Sequence, residues 1–380
     1  MDLNVRIGID GIPLSQLKTG VGHYTFEIAV EIARQSPSDS FEVLSHLPFA
    51  DLDSAPANLK FIKQPVNAAT KNWWTIGLPL YLKRARLDLF HGTNYDIPLW
   101  GGCPTVLTIH DLSLLLFPKT HEERNVRRAR RRLPVMSRRA TLIITPTEAV
   151  KSEVCEHLRI PDDKVIVVNE APRRSFHPMP REQALATVRR LALDDEFILY
   201  VGTIEPRKNL ITLVKAFEDV LRMTNLRPQL VIAGKQGWLT DELFAYIDQA
   251  NLGDRLRLTG YLGDDDLRAL YSACRVMVYP TLYEGAGLPA LEAMACGAPV
   301  ITTNTPAIVE MVGDNARLFA PADYSTLAQH LVELLTTPAA RESLAHAGLQ
   351  HAARFTWERA ARETLAVYRR ATGNLAQPVL

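Results

Sequence analysis

Arg207 and Lys208 stand side by side in Gly202–Leu210 (GTIEPRKNL), between the end of an apolar run and the start of a strongly patterned helix. Two fixed cations beside a helix N-terminus suit a diphosphate, whose negative charge needs most stabilisation as it departs. A solvated loop pair is the plainer alternative. A second segment, Tyr279–Thr303 (YPTLYEGAGLPALEAMACGAPVITT), carries Glu284 just before Gly285-Ala286-Gly287 and Glu292 just after it. The glycines let backbone come close to a ligand, Pro289 suits a first helical turn, and Gly297 suits the C-terminal cap. Taken singly, Glu284 also fits a helix cap and Glu292 a solvated helix position. In Thr108–Ser113 (TIHDLS), His110 precedes Asp111. A histidine beside a carboxylate is held in one tautomer and can hydrogen-bond a reacting group, although a structural histidine fits as well. His91, in Leu87–Asn94 (LDLFHGTN), is a weaker candidate of the same kind.

These residues need elements to hold them. Short β-branched runs at Val5–Asp10, Thr105–His110, Thr141–Thr145, Val165–Val168, Phe197–Gly202, Gln229–Gly234 and Val276–Pro280 alternate with helical patterns. Apolar strands alternating with amphipathic helices build parallel sheets covered on both faces. In such sheets ligands gather at the carboxyl ends of strands, where loops lead into helix N-termini. The candidates above all follow strands, as do Gly202 and Gly234. The helix after Gly202 is the most legible, with Leu210, Leu213, Val214, Phe217, Val220 and Leu221 on one face.

Two further segments invite a motif reading. Gly20-Val21-Gly22-His23-Tyr24 matches a dinucleotide fingerprint poorly, because a long loop from Gly11 to Thr19 precedes it and the third glycine is absent. A glycine loop approaching phosphate or sugar by its backbone fits better. Asp264-Asp265-Asp266 resembles a metal-binding cluster but opens a helical pattern, where acidic residues stabilise the N-terminus.

The 380 residues exceed what one core usually supports, which predicts two domains. Asn169–Arg181 (NEAPRRSFHPMPR), with three prolines and no periodicity, reads as the connection. Forty-three Lys and Arg against 42 Asp and Glu exclude the broad basic excess of a nucleic-acid-binding protein. No apolar run approaches the ~18 residues that span a bilayer, and nothing at the start resembles a signal peptide, so a cytoplasmic protein is expected. Cys103, Cys155, Cys274 and Cys296 are scattered without a C-x-x-C pair, which predicts reduced and mostly buried thiols.

Together, the Gly20–Gly22 segment, His110-Asp111, GTIEPRKN, Leu258–Leu262 (LTGYL) and the Glu284/Glu292 pair resemble, in order and spacing, the family 4 retaining glycosyltransferases of GT-B fold. The resemblance covers nearly the full length and is specific as an ordered set. It implies an α/β protein of two Rossmann-like doubly wound parallel-sheet domains facing a central cleft. An acceptor-side domain over 1–172, completed by a C-terminal helix within 356–380, would be followed by a nucleotide-sugar-binding domain over 173–355. Arg207 and Lys208 would hold the diphosphate, Glu284 a donor-sugar hydroxyl, and Glu292 the ribose hydroxyls. Gly20, Gly22, Gly202 and Gly234 would lie against the donor, and backbone N–H groups from Gly285, Ala286, Gly287 and Leu288 would help position sugar and phosphate. Tyr261 and Leu262 would border the base, His110 would contact the transferred sugar, and Asp111 would orient His110. Ala286 departs from the pattern, since many relatives carry an aromatic residue there.

The wording IHDLSLLLFP and GTIEPRKNL looks most like bacterial mannosyltransferases of polysaccharide assembly. GDP-mannose is the first expected donor and a UDP-sugar the second, with no obligatory metal. The motifs offer cations for the leaving group and no clear nucleophile, which agrees with same-face attack and retention of configuration. A nucleotide-sugar epimerase of the same fold and a non-catalytic nucleotide-sugar-binding protein are the alternatives from other classes. Within Glu123–Ala140 (ERNVRRARRRLPVMSRRA) eight arginines suit an anionic membrane surface as well as a solvated helix face. Trp73 and Trp74 could reach an interface or pack in the core. A peripheral protein acting on a glycan or lipid-linked acceptor is the expectation.

Overall fold

The computed structural model describes residues 5–15, 20–50, 54–65, 67 and 70–373. The chain forms two compact units, one of Met1–Leu112, Arg127–Ala171 and Thr356–Leu380, the other of Ser113–Val126 and Pro172–Phe355.

The first unit is built on seven parallel strands: β1 (Arg6–Asp10), β2 (Ser40–Ser45), β3 (Leu59–Lys63), β4 (Leu89–Gly92), β5 (Thr105–Thr108), β6 (Leu142–Thr145) and β7 (Val165–Val167). Their order is β3-β2-β1-β4-β5-β6-β7. Strands β4, β5 and β6 are buried throughout, because helices cover both faces. The final helix, Trp357–Ala371, starts at Thr356, whose side chain accepts from Arg359 N, and belongs to this unit. It lies along the helix Gly20–Gln35, where Gln35 Nε2 donates to Glu358 O at 2.8 Å. Trp73 is buried in the core and Trp74 is half-buried.

The second unit carries six parallel strands: β8 (Phe197–Val201), β9 (Gln229–Ala233), β10 (Leu256–Gly260), β11 (Val276–Tyr279), β12 (Val300–Thr303) and β13 (Arg317–Phe319). Their order, β10-β9-β8-β11-β12-β13, is that of the Rossmann sheet, and it reverses between β8 and β11. In sheets of this order ligands bind at the carboxyl edge of the strands flanking the reversal. The helix Leu210–Met223 buries the apolar face expected of it.

One expectation is corrected here. Gly20 and Gly22 are not a loop but the first turn of the helix Gly20–Gln35, which buries Gly22, Tyr24 and Phe26. At a helix start such a pair meets a ligand through N–H groups of the first turn rather than through loop backbone. Residues 16–19, which precede them, lie outside the described residues. Cys274 and Cys296 are buried, Cys103 and Cys155 partly so, and all four are free thiols.

Candidate functional site

In the second unit the loops that leave β8 and β11 hold each other. After β8 the chain makes a single turn, Pro206–Lys208, and Asn209 then adopts φ 55° to start the next helix. Asn209 Nδ2 donates to Pro280 O at 3.0 Å and Pro321 O at 2.7 Å, while Leu282 N donates to Arg207 O at 2.8 Å. The glycines permit this closeness. A Cβ on Gly234 would stand 1.9 Å from Gly202 O, and one on Gly287, at φ +65°, would stand 2.2 Å from Ile308 Cδ1.

Four charges meet inside the frame. Glu284 Oε1 accepts from Lys208 Nζ at 2.6 Å and Arg207 Nη1 at 2.8 Å, with Thr281 Oγ1 at 2.8 Å. Glu284 Oε2 takes no hydrogen bond among the described residues. Arg207 also donates to Tyr283 O at 2.8 Å and, through Nη2, to Glu205 Oε1 at 2.6 Å. Lys208 reaches the Tyr279 hydroxyl at 2.8 Å. All four charged residues are buried. Burial works to raise the Glu284 pKa, but the charges of Arg207 and Lys208 outweigh it and hold the carboxyl at about 2. Burial lowers Lys208 and raises Glu205, in each case only partly offset by the opposite charges nearby.

Glu292, on the helix Leu288–Ala295, is buried too. Arg173 grips it bidentately, with Nε to Oε1 at 2.8 Å and Nη2 to Oε2 at 3.0 Å. Arg173 Nη1 donates to Asp264 Oδ1 at 2.7 Å, and its guanidinium lies 4.1 Å from the Phe176 ring centroid. Neither structural alternative read from the sequence is what is found: Glu284 caps no helix and Glu292 is not solvated. Asp264, Asp265 and Asp266 fill the first turn of the helix Asp264–Ala273, and Asp266 pairs with Arg190. Among the described residues no group of three or more His, Cys, Asp or Glu is arranged to hold a metal ion.

Since the strands are parallel, Gly202, Gly234, Tyr261 and Glu284 all leave the same edge of the sheet. Gly285, Ala286, Gly287 and Leu288 carry the chain from Glu284 into the helix of Glu292, with Ala286 buried. Tyr261, half exposed at 50%, and Leu262, partly buried, follow the edge strand β10.

His110 and Asp111 follow β5 in the first unit. The expected orienting role of Asp111 is corrected: His110 Nδ1 meets Glu170 Oε1 at 2.8 Å, and Nε2 donates to Thr93 O at 2.8 Å. Asp111 is next in sequence, so its side chain leaves the backbone in a different direction, whereas Glu170 arrives from the end of β7. His91 is wholly buried, with Nδ1 2.7 Å from Tyr368 Oη and Nε2 2.8 Å from Thr108 Oγ1. Burial, aided by the charge of His110, drives its pKa down to about 3 and keeps it neutral.

Three residues of these networks escaped the sequence reading. Glu170 and Arg173 lie in the proline-rich connection, and Glu205 in the same GTIEPRKNL segment as the cations. The only local signal was a buried-type acid directly after a strand or within a cation-bearing loop.

Residues 19–170 match the model of Glycosyltransferase Family 4, and residues 183–351 match that of Glycosyl transferases group 1. Over 372 residues the chain is 29% identical to the O-antigen chain mannosyltransferase B of Escherichia coli, covering 94% of this chain and 97% of that protein. The serotype-specific mannosyltransferase WbdA of Escherichia coli is 34% identical over 261 residues, 67% of this chain and 32% of that longer protein. Among solved structures, sucrose-phosphate synthase from Thermosynechococcus elongatus has a similar fold, with a TM-score of 0.76 at 20% identity over 98% of this chain and 100% of that one.

Proposed function

This chain belongs to the glycosyltransferases, a Family 4 unit and a group 1 unit joined in the GT-B fold, and from that premise we propose that it transfers mannose, with retention, from a nucleotide-diphosphate donor to an acceptor hydroxyl. GDP-mannose is the first donor to test and a UDP-sugar the second. The mannosyl group follows from the similarity to two mannosyltransferases. The observation that carries the chemistry is the pairing of Arg207 and Lys208 on one oxygen of Glu284, at the point where the sheet reverses.

A diphosphate arriving there draws the two cations from Glu284 Oε1, and Glu284 turns its carboxylate to a sugar hydroxyl. The bond from the anomeric carbon to the diphosphate then breaks, with Arg207 and Lys208 stabilising the charge that develops on the leaving oxygen. The acceptor oxygen bonds to the same face of the sugar, and its proton passes to the departing diphosphate. Backbone N–H groups at Ala286–Leu288 add donors at a helix start. Glu292, oriented by Arg173, keeps lone pairs for the ribose hydroxyls, and Tyr261 with Leu262 borders the base. His110 donates to a substrate oxygen.

The acceptor we propose is a glycan or lipid-linked saccharide reached at an anionic membrane surface. Arginines of the helix Glu123–Arg139 are largely exposed, and so are Ile76, Leu80, Leu99 and Trp100. No helix among the described residues is long and apolar enough to cross a membrane.

Turnover assays with GDP-mannose and with UDP-sugars, each with a mannose-terminated acceptor, test the reading. An α-linked product by proton NMR is expected from an α-linked donor, and a β-linked product rejects the retaining mechanism.

A further inference from the structure

His110 stands between two acceptors. Thr93 O cannot donate, so Nε2 carries a proton, and the Glu170 carboxylate at 2.8 Å from Nδ1 calls for a second. Glu170 is itself almost wholly buried, with a side-chain exposure of 6% against 12% for His110, so the pair is shielded from water. The other groups facing the ring are few. Tyr24 meets it edge-on with centroids 4.8 Å apart, Tyr95 does so at 6.2 Å, and Asp111 adds a second negative charge from the adjoining position. His91, on β4, is neutral and adds no positive charge to compete with His110.

We propose that Glu170 is a positioning residue that keeps His110 doubly protonated, so that His110 serves sugar transfer as a hydrogen-bond donor and never as the base. A substrate oxygen takes the place of Thr93 O on Nε2, while Nδ1 stays fixed on Glu170. Deprotonation of the acceptor then falls to the departing diphosphate. Burial by itself would lower the His110 pKa, but the Glu170 charge, the hydrogen bonds to Glu170 and Thr93 O, and Asp111 together raise it. This inference rests on the reading of His110 as a substrate contact.

The test compares wild type with Glu170→Gln in two ways. Side-chain 15N NMR should show His110 doubly protonated at neutral pH in the wild type, and titrating at lower pH in the variant. The alkaline fall of kcat should move down together with the His110 titration, so the variant loses turnover at neutral pH and recovers it on acidification, with kcat affected more than donor KM. An unmoved His110 titration, or a neutral His110 in the wild type, overturns the proposal whatever the activity. A moved titration with an unmoved rate profile overturns the donor role. Absence of wild-type turnover would instead count against the transferase reading, and the NMR comparison needs no turnover. Circular dichroism of the variant separates a folding defect from either result.

Discussion

Lys208 Nζ donates to Glu284 Oε1 at 2.6 Å, and Arg207 Nη1 reaches the same oxygen at 2.8 Å. One carboxylate oxygen thus pairs with both cations proposed to stabilise the leaving group. Removing Glu284 leaves Lys208 without its carboxylate partner and Arg207 with Glu205 alone, and Glu284→Ala should lose ~3–5 kcal/mol of stability in denaturant titration. Free GDP or UDP, by supplying anions to those cations, should bind the variant at least as well as wild type in calorimetry while transfer is abolished. A large loss of free-nucleotide affinity would contradict the sugar-hydroxyl role.

The same pair ties stability to acid. Glu284 has a folded-state pKa of about 2 against an ordinary 4.5, so its contribution is complete above about pH 4.5 and disappears as pH falls through about 2. Thermal melts of wild type should therefore drop across that window, and those of Glu284→Gln should drop less.

Lys208→Ala and Arg207→Ala should each lower kcat more than donor affinity, because an interaction strongest in the transition state governs the chemical step. Losses of about 10²-fold or more are expected from removing a buried charge stabiliser. Steady-state kinetics at saturating donor decide this, and an unchanged kcat would remove the cations from the chemical step.

Arg173 and Glu292 form a bidentate pair, 119 residues apart in sequence. Glu292→Ala should weaken GDP or UDP itself, and Arg173→Ala should do so through the loss of carboxylate orientation. The double variant should cost less than the sum of the two single changes, since both act through one contact. Strict additivity in calorimetry would show that Arg173 does not position Glu292.

Asp10, at the end of β1, is buried and accepts from Ile12 N at 3.0 Å. Burial pushes its pKa from 3.8 up to about 7, partly offset by that hydrogen bond, with Asp96 adding to the rise. The folded chain therefore holds a proton that the unfolded chain releases, and stability falls as pH rises from about 4 through about 7. Asp10→Asn keeps an acceptor for Ile12 without the charge. It should melt close to wild type near pH 4 and higher near pH 8, by up to about 4 kcal/mol. An equal difference at both pH values would rule out the carboxyl as the cause.

On an anionic bilayer the exposed arginines of Glu123–Arg139 would each contribute about 1 kcal/mol to the proposed attraction. Sedimentation with phosphatidylglycerol-containing vesicles should pull down the protein at low salt and release it at high salt, with neutral vesicles inert. Charge reversal of Arg130 and Arg131 should weaken the binding. Equal behaviour on both vesicle types would end the membrane reading.

Parallel sheets, the helix Leu210–Met223, and the positions of Arg207, Lys208, Glu284 and Glu292 were legible from residue order, because apolar periodicity and the glycine and proline around a strand end are local properties of the chain. Strand β3 was not, since Leu59 alone of its five residues is buried and the other four are partly or fully exposed, and β13 spans only three. The partners were not legible either. Glu170 finds His110 across 60 residues and Arg173 finds Glu292 across 119, whereas Asp111, adjacent to His110 in sequence, does not orient it. Sequence order determined which charges follow which strand; only the folding of β5 beside β6 and β6 beside β7 brought a carboxylate from a proline-rich connection onto a buried imidazole, because desolvation makes such a pair strong only after the sheet has closed around it.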